Sequence, residues 1–577
     1  MAKPIAPFVN VALLYDDSGY VECQERPGRA VGEAPVGLMG RQVAGREFLN
    51  AYLTYGCWSE LTAVVYNQAN ANSLLQYFQR HPAARIHERR LRLVPMAAFQ
   101  EGFLPTPPAP LLYTPCPPDP AFAWARHHSA PGAFALSGVT HTLSTAAAVR
   151  VLCELLTAPY EPYDALICTS TAVVRMVRSV TDAYADYLRD RHGMAPALRI
   201  GLETIPLGVD PHRFRPPTAE ERSARRAALK IADDEVAVLF VGRFAPHAKA
   251  HPYPMFHGIA QAARETGRRA HLILSGWAAH PAVPQAFLDA AGTFAAGIPV
   301  SVVDGMDPDW RFGVWHAADV FTSLSDSIQE TFGLVVVEAM ASGLPVVVSD
   351  WDGYRDLVVD GGTGWLVPTC MVRGATSEAT VRLILGANDY DAFLGECNQA
   401  VAVDPAAAAN AYARLFEDAA LRRRMGDAGR RTVLERFTWA GVIKAYEDLW
   451  RWQESERRAW LARRPPSPPR PGGPPCFPAP EVAFGRYPSR MLADDDRLKT
   501  VAGAESHLGR IVSLPLTNYA ADRRVADEAV LRTLLATTAD ARSIAELIDQ
   551  LSRQGIPQSR GRATLAWLLK YGLMRWE

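Results

Sequence analysis

Residues 322–368 read TSLSDSIQETFGLVVVEAMASGLPVVVSDWDGYRDLVVDGGTGWLVP. Two glutamates, Glu330 and Glu338, stand with seven residues between them. A Thr-Phe-Gly step follows the first, a buried-strand pattern at Leu344–Val348 follows the second, and a glycine-rich return at Gly361–Gly364 closes the segment. Val335, Val336 and Val337 are β-branched and by propensity alone read as strand. The Glu-Ala-Met-Ala run after them and Gly343 as a C-terminal stop favour a helix instead. Glu330 then sits where a loop enters that helix. The N–H groups of Phe332, Gly333 and Leu334 are free to meet an anion at the positive end of the helix dipole, and Gly333 lets the backbone approach closely. Two turns on, the Glu338 carboxylate is suited to accept hydrogen bonds from the vicinal hydroxyls of a ribose.

Outward from this stretch the pattern is regular. Strands at Val236–Val241, His271–Ser275, Pro299–Val303 and Val320–Ser323 alternate with helices near Pro254–Thr266, Val283–Ala291 and Trp310–Ala318. Near-continuous apolar strands in βα alternation predict a parallel sheet covered by helices, with ligands at the carboxyl ends of its strands. At one such end, GRFAPHAKAHP supplies Arg243 and Lys249.

The run ETFGLxxxEAMAxGLPVVVSD, from Glu330 to Asp350, resembles the donor-site signature of family 4 glycosyltransferases, and the resemblance extends over about residues 8 to 455. It implies the GT-B fold: two Rossmann-like domains facing across a cleft. It also implies retaining transfer of a sugar from a nucleoside-diphosphate sugar to an acceptor hydroxyl. Under this reading Glu338 holds the ribose, Arg243 and Lys249 neutralise the leaving diphosphate, and Glu330 with the Phe332–Leu334 amides meets sugar and phosphate. Arg243 and Lys249 are one residue further apart than the common family spacing, and Ala-His-Pro follows Lys249 where glycine is usual. The loop that in the family runs Gly-Gly-x-x-Glu here runs Asp-Gly-Tyr-Arg-Asp, Asp352–Asp356, so its sugar contacts differ.

Towards the N-terminus, Val9–Asp16 reads as a buried first strand, followed by a loop with Gly32, Gly37, Gly40 and Gly45 and a helix at Arg46–Tyr55. Gly37 and Gly40 stand where the family places a glycine pair near donor and acceptor; glycines merely permitting a turn are the other reading. A strand at Leu61–Tyr66 and a helix near Ala71–Gln79 come next. The basic run at 81–95, with Arg85, His87, Arg89, Arg90 and Arg92, reads as a solvated helix face leading into a strand rather than a lipid-docking patch. The proline-rich 105–120 is a loop. Phe134–Ser144 is a short strand and a loop carrying His141, which the resemblance puts beside the transferred sugar, where an imidazole can hydrogen-bond hydroxyls or handle a proton; a structural histidine is the alternative. Asp164–Ser170 resembles the family's next strand, and Glu203–Asp210 resembles its strand and turn before the domain crossover.

No metal is expected. Asp350-Trp-Asp352 makes a D-x-D triplet of the kind that holds a divalent ion in another glycosyltransferase fold, but basic residues do that work in this one. His247 and His251 read as loop histidines. No cofactor is expected beyond the sugar-nucleotide substrate.

The predicted organisation is an N-terminal acceptor-side domain at 1–220, a nucleotide-sugar domain at 221–440, a crossover helix at 441–462, a proline-rich linker at 463–480, and a small mostly helical module at 481–577. In that module Ser543-Ile-Ala-Glu546 is a capping box, followed by a helix, a second helix at Arg562–Tyr571, and a short strand at Leu573–Trp576. Three helices and a strand suggest a winged-helix-like fold. Mixed charges without an aromatic-basic patch favour protein docking or self-association over nucleic acid.

The chain has 577 residues and a net charge of -1, which gives no bulk attraction to nucleic acid or membrane. No signal peptide or bilayer-length apolar run is read. Eight scattered cysteines without a CxxC read as reduced thiols of a cytoplasmic protein, with peripheral residence at the inner membrane surface left open. Two other readings stay open: a non-catalytic sugar-nucleotide-binding protein that recruits a partner through its C-terminal module, and a phosphorylase or epimerase of the same fold. Base, sugar and acceptor are not legible.

Overall fold

The computed structural model describes residues 9–20, 40–86, 89–96, 108–129, 131–464, 474–517 and 527–577. The chain divides into two compact units, 1–469 and 470–577.

The first unit contains two parallel sheets. One has strands β1 (Val11–Tyr15), β2 (Glu60–Val65), β3 (Arg90–Pro95), β4 (Leu111–Thr114), β5 (Ala135–Val139), β6 (Ala165–Cys168) and β7 (Gly201–Thr204), in the order β3-β2-β1-β4-β5-β6-β7. The other has β8 (Val236–Val241), β9 (Ala270–Gly276), β10 (Val300–Asp304), β11 (Val320–Ser323), β12 (Val346–Ser349) and β13 (Gly364–Val367), in the order β10-β9-β8-β11-β12-β13. Both are doubly wound: the chain starts centrally, winds out to one edge, then returns to the other. The reversal leaves a crevice at the carboxyl ends of β1 and β4, and of β8 and β11. Strands buried on both faces explain the apolar runs: β8, β9, β11 and β12 are buried almost throughout.

The two sheets face one another across a cleft, in the GT-B arrangement. The Trp439–Arg463 helix leaves the second sheet's layers and returns to the first. Its Trp439, Val442, Ile443, Tyr446, Leu449 and Trp450 join the core around β1, β4 and β5. Gln453 Nε2 donates to the carbonyls of Leu136 at 2.8 Å and Tyr163 at 3.0 Å. The first sheet also encloses a fully buried ion pair. Arg126 Nη1 and Nη2 meet Asp164 Oδ1 and Oδ2 at 2.7 and 2.6 Å, and Asp164 accepts the Leu136 and Glu161 amides as well.

Boundaries differ from expectation where local signals compete. The helix predicted at Arg46–Tyr55 spans Gly40–Tyr55 and starts six residues earlier, because the glycines near its start are helical rather than loop. The segment predicted as one helix at Trp310–Ala318 is a short helix, Pro308–Gly313, passing into a 3-10 turn, Val314–Ala317. The basic run is a 3-10 turn, Pro82–Arg85, before β3. Arg89 there is not a solvated charge: its guanidinium donates to the Leu53 and Gly56 carbonyls and lies 4.4 Å from the Trp58 ring centre. His87, Gly32 and Gly37 lie outside the described residues.

The 470–577 unit has helices Ala504–Ile511, Glu528–Thr537, Ile544–Arg553 and Gln558–Lys570, and a small antiparallel sheet with Arg497–Thr500 between Arg542–Ser543 and Met574–Trp576. The Ser543–Glu546 capping box is present. The unit is mostly helical, but among the described residues it holds five helices, counting the short Pro480–Ala483, and three strands, against the three helices and one strand expected. The extra strands lack the length and alternation by which sequence reveals a strand.

Candidate active site

The helix after Gly333 forms in spite of its β-branched residues. It spans Leu334–Ala341, buries Val336, Val337, Ala339, Met340 and Ala341, and stops at Gly343, whose φ of 79° lets the Leu344 amide bond back to Ala339 O at 3.0 Å. Burial of the branched side chains in the core outweighs their few tenths of a kcal/mol of intrinsic helix cost. Gly333 caps the other end at φ 101° and ψ 57°. A Cβ there would lie 2.3 Å from Tyr354 Cε1, so both conformation and space require glycine.

The loop from Leu324 to Phe332 leaves the carboxyl end of β11, and the loop carrying Arg243 and Lys249 leaves β8, its neighbour across the switch point. Here the predicted residues converge. Lys249 Nζ lies 3.0 Å from Glu330 Oε2. Arg243 Nη2 donates to Gln329 Oε1 at 3.3 Å. Burial works against ionisation of Glu330, but the Lys249 ammonium and the amides of Thr331 and Phe332 outweigh it and hold the carboxyl below its ordinary range. The Phe332 amide, expected to face an anion, is thus turned to Glu330, while its ring is buried against Phe437. Leu334 is the first residue of the helix. Burial lowers the Arg243 pKa from its usual value.

Hydroxyls lock this loop in place. Ser325 Oγ donates to the Lys249 carbonyl at 2.8 Å, Ser349 Oγ to the Ser325 carbonyl at 2.6 Å, and Trp351 Nε1 to the Ser327 carbonyl at 3.0 Å. Asp326 lies beneath it, accepting the His251 amide at 3.3 Å; burial pushes its carboxyl up to about 7.

Glu338 points to the other end of the crevice, near Arg311, Arg213 and Glu47. Burial pushes its carboxyl up to about 7, with Glu47 adding and the two arginines opposing. Glu47 belongs to the Gly40–Tyr55 helix of the first sheet's layers and pairs with Arg213 at 3.2 Å. The putting together of these two glutamates was not legible in the sequence, since 290 residues separate them. Among the described residues, nothing lies within 4 Å of where a Cβ on Gly40, at the start of that helix, would stand.

His141 follows β5 in the loop before the Ala146–Glu154 helix. Burial, reinforced by Arg41, pushes its imidazole down to about 4, against a hydrogen bond with the Pro115 backbone. It is therefore neutral near pH 7, able to accept or donate one hydrogen bond at each nitrogen.

The D-x-D aspartates do not act as a pair. Asp350 Oδ1 is bound by Arg355 Nε at 2.6 Å. Asp352 adopts φ 40°, uncommon for a residue with a side chain, and bonds the Gly353 amide through Oδ1. Its Oδ2 is buried with no hydrogen-bond partner among the described residues. Burial, with the Glu330 carboxylate beside it, raises the Asp352 pKa far above the ordinary range despite Lys249. Among the described residues no group of three or more His, Cys, Asp or Glu is arranged to hold a metal. No described helix is long and apolar enough to cross a membrane.

The cleft is bridged by side chains that sequence reading passed over. Asp356 accepts the Thr171 amide at 2.5 Å and its hydroxyl at 2.7 Å. Ser170 Oγ donates to the Thr331 carbonyl at 2.8 Å, and Ser144 and Tyr390 share a 2.6 Å hydrogen bond. The Ser and Thr residues lie at the start of helices that read only as caps; nothing local marks them as bridging.

Residues 235–385, which hold the whole second sheet, match the family model described as Glycosyl transferases group 1. The chain is 31% identical over 231 residues to a D-inositol 3-phosphate glycosyltransferase of Nocardia farcinica, covering 40% of this chain and 50% of that protein. It is 33% identical over 250 residues to one of Saccharomonospora viridis, covering 40% and 53%. The chain thus spans about half the length of the curated relatives it matches. Among solved structures it is similar to sucrose-phosphate synthase from Thermosynechococcus elongatus, at a TM-score of 0.46 and 20% identity over 78% of this chain and 100% of that one.

Proposed function

We propose that the chain is a retaining family 4 glycosyltransferase that moves a sugar from a nucleoside-diphosphate sugar to an acceptor hydroxyl. The observation that carries this reading is the convergence at one switch point of Arg243, Lys249 and Glu330, with Glu338 about one turn into the adjoining helix. Two cations and the start of a helix suit a diphosphate; a carboxylate beyond them suits a ribose. The group 1 match over 235–385 supports the same assignment.

In this mechanism the ribose hydroxyls donate to Glu338, and the diphosphate displaces Glu330 from Lys249 and sits between Lys249 and Arg243. Glu330 and the amides at Gly333 and Leu334 meet sugar and phosphate. As the anomeric C–O bond breaks, the electron pair goes to the departing diphosphate oxygen, whose charge the two cations stabilise. The acceptor oxygen attacks from the same face and its proton passes to that phosphate oxygen, which retains configuration without a covalent enzyme intermediate. Neutral His141 holds a sugar hydroxyl across the cleft. No cofactor or metal has a part in this scheme. The 470–577 unit, with Leu516 and Tyr487 each 83% exposed, serves protein docking or self-association, and the site of action is the cytoplasm.

The test is a thermal-shift panel of UDP, GDP, ADP and their sugar conjugates on wild type and Glu338→Ala, followed by nucleoside-diphosphate release. A ligand at a hundred times its dissociation constant adds about 2.7 kcal/mol of stability. Stabilisation of wild type by one base and its loss in the variant is the expected result. No stabilisation by any member would overturn the donor assignment; binding without turnover would favour the non-catalytic reading.

A further inference from the structure

A cavity of about 600 Å³ opens from the Glu330 end of the site, between the layers of the two sheets. Its size is that of a small-molecule site, but its lining is unlike a sugar subsite. Leu143, Val149 and Met176 form one wall; Ile328, Leu383 and Phe393 form the other. Sugar subsites need a dense set of hydrogen-bonding groups, because each hydroxyl transferred from water without a partner is costly. The surface this lining exposes is mainly apolar.

Glu330, Thr331, Trp351 and Asp352 line the end beside the Lys249 contact that belongs to the proposed donor site, and Ser144, Arg150 and Thr380 also lie in the lining. Asp352 Oδ2 is buried without a partner among the described residues and the residue's backbone is held at positive φ. A buried polar atom without a partner, in a residue at positive φ, calls for an explanation, and a ligand hydroxyl supplies one. At the other end, the Ser377–Ile384 helix that supplies Leu383 leaves Ile384 64% exposed, and Leu385 after it is 76% exposed. Apolar surface therefore continues from the cavity to its mouth.

Resting on the glycosyl-transfer reading above, we propose that this cavity is the acceptor site and that the acceptor is an alcohol borne on an apolar body, its hydroxyl held at the Asp352–Glu330 end. The Asp352 carboxyl satisfies its free oxygen by hydrogen-bonding the acceptor hydroxyl, and the apolar walls take up the rest of the molecule. In the reaction the acceptor O–H bond breaks, its oxygen bonds to the anomeric carbon, and the nucleoside diphosphate leaves with the bonding pair and takes the proton.

The probes are hexan-1-ol, octan-1-ol and decan-1-ol, with glycerol as the polar control, titrated calorimetrically into the full chain. Burial of each methylene predicts affinity rising about tenfold for every two carbons added, with a negative heat-capacity change and no binding of glycerol. Ala172→Trp, which fills the cavity, and Leu383→Arg, which charges its other wall, should each weaken decanol by tenfold or more while nucleoside-diphosphate stabilisation persists. With the sugar donor present, mass spectrometry should find the alkyl glycoside. Affinity independent of chain length in wild type, or unchanged by both substitutions, overturns the proposal. Nucleotide binding without alcohol binding refutes the acceptor class and leaves the donor assignment standing. Alcohol binding without any nucleotide binding refutes the donor assignment, and the acceptor role with it.

Discussion

Glu338 offers a test in which binding and stability move in opposite directions with pH. Burial pushes its carboxyl up to about 7, helped by Glu47 and opposed by Arg311 and Arg213. Only the ionised form accepts two hydrogen bonds from a ribose. At pH 6 the ionised fraction is about 0.09 and at pH 8 about 0.9, so apparent affinity, which scales with the competent fraction, should rise about tenfold across that range. Binding should also release up to one proton below pH 7. A sugar nucleotide is the right ligand, because its diesterified diphosphate has no group titrating in this range. Calorimetric titration at pH 6, 7 and 8 measures the effect, and Glu338→Gln should be flat and weak throughout. Stability of the unliganded protein has the opposite sign. The folded pKa lies above the unfolded value near 4.5, so the Glu338 contribution is fully present below about 4.5 and is lost as pH rises through 7. A wild-type dissociation constant independent of pH, or the same tenfold change in Glu338→Gln, would refute the reasoning.

Other expectations follow from contacts already described. Gly333→Ala places a Cβ 2.3 Å from the Tyr354 ring at a φ of 101°; left-handed strain of about 1–2 kcal/mol and overpacking of about 1–3 kcal/mol should lower denaturant stability by roughly 2–5 kcal/mol, and a loss under 1 kcal/mol would mean the helix start is not as described. Asp164→Ala strands the buried Arg126 charge, and urea titration should read a loss of about 3–5 kcal/mol; a loss as small as a surface substitution's would show that the pair is solvated. Lys249→Met and Arg243→Met should each lower kcat about 10²- to 10³-fold, checked by nucleoside-diphosphate release, whereas an unchanged kcat would remove them from the leaving-group role. Asp356→Ala cuts two hydrogen bonds across the cleft and should increase hydrogen exchange at Thr171 more than at the buried strand Val346–Ser349.

Much of the architecture was legible because it rests on local rules. Apolar runs bounded by turn residues marked the strands, and β8 and β11 were placed to the residue. The helix after Gly333 was readable from its Glu-Ala-Met-Ala run and from Gly343, not from its valines. Gly333 starts it and Gly343 ends it, both at positive φ, and no other residue type serves both positions without strain. The Ser543–Glu546 capping box is equally local. Where one signal was ambiguous, as with the glycines around the start of the Gly40–Tyr55 helix, the boundary moved.

What the sequence by itself determined is therefore the alternation of elements, the spacing that puts Glu330 before a helix and Glu338 within it, and the cations expected after β8. These depend on backbone propensity and side-chain period, which act over a few residues. Only the tertiary structure decided that Lys249 closes on Glu330, that Glu47 approaches Glu338 from the other sheet's layers, that Asp352 is buried with one oxygen unsatisfied, and that an apolar cavity lies beside it. Each depends on which surfaces meet when two separately wound sheets are brought together by the returning Trp439–Arg463 helix. Burial and proximity, not residue type, then set the charge of a carboxyl, so its chemistry could not be read until its neighbours were known.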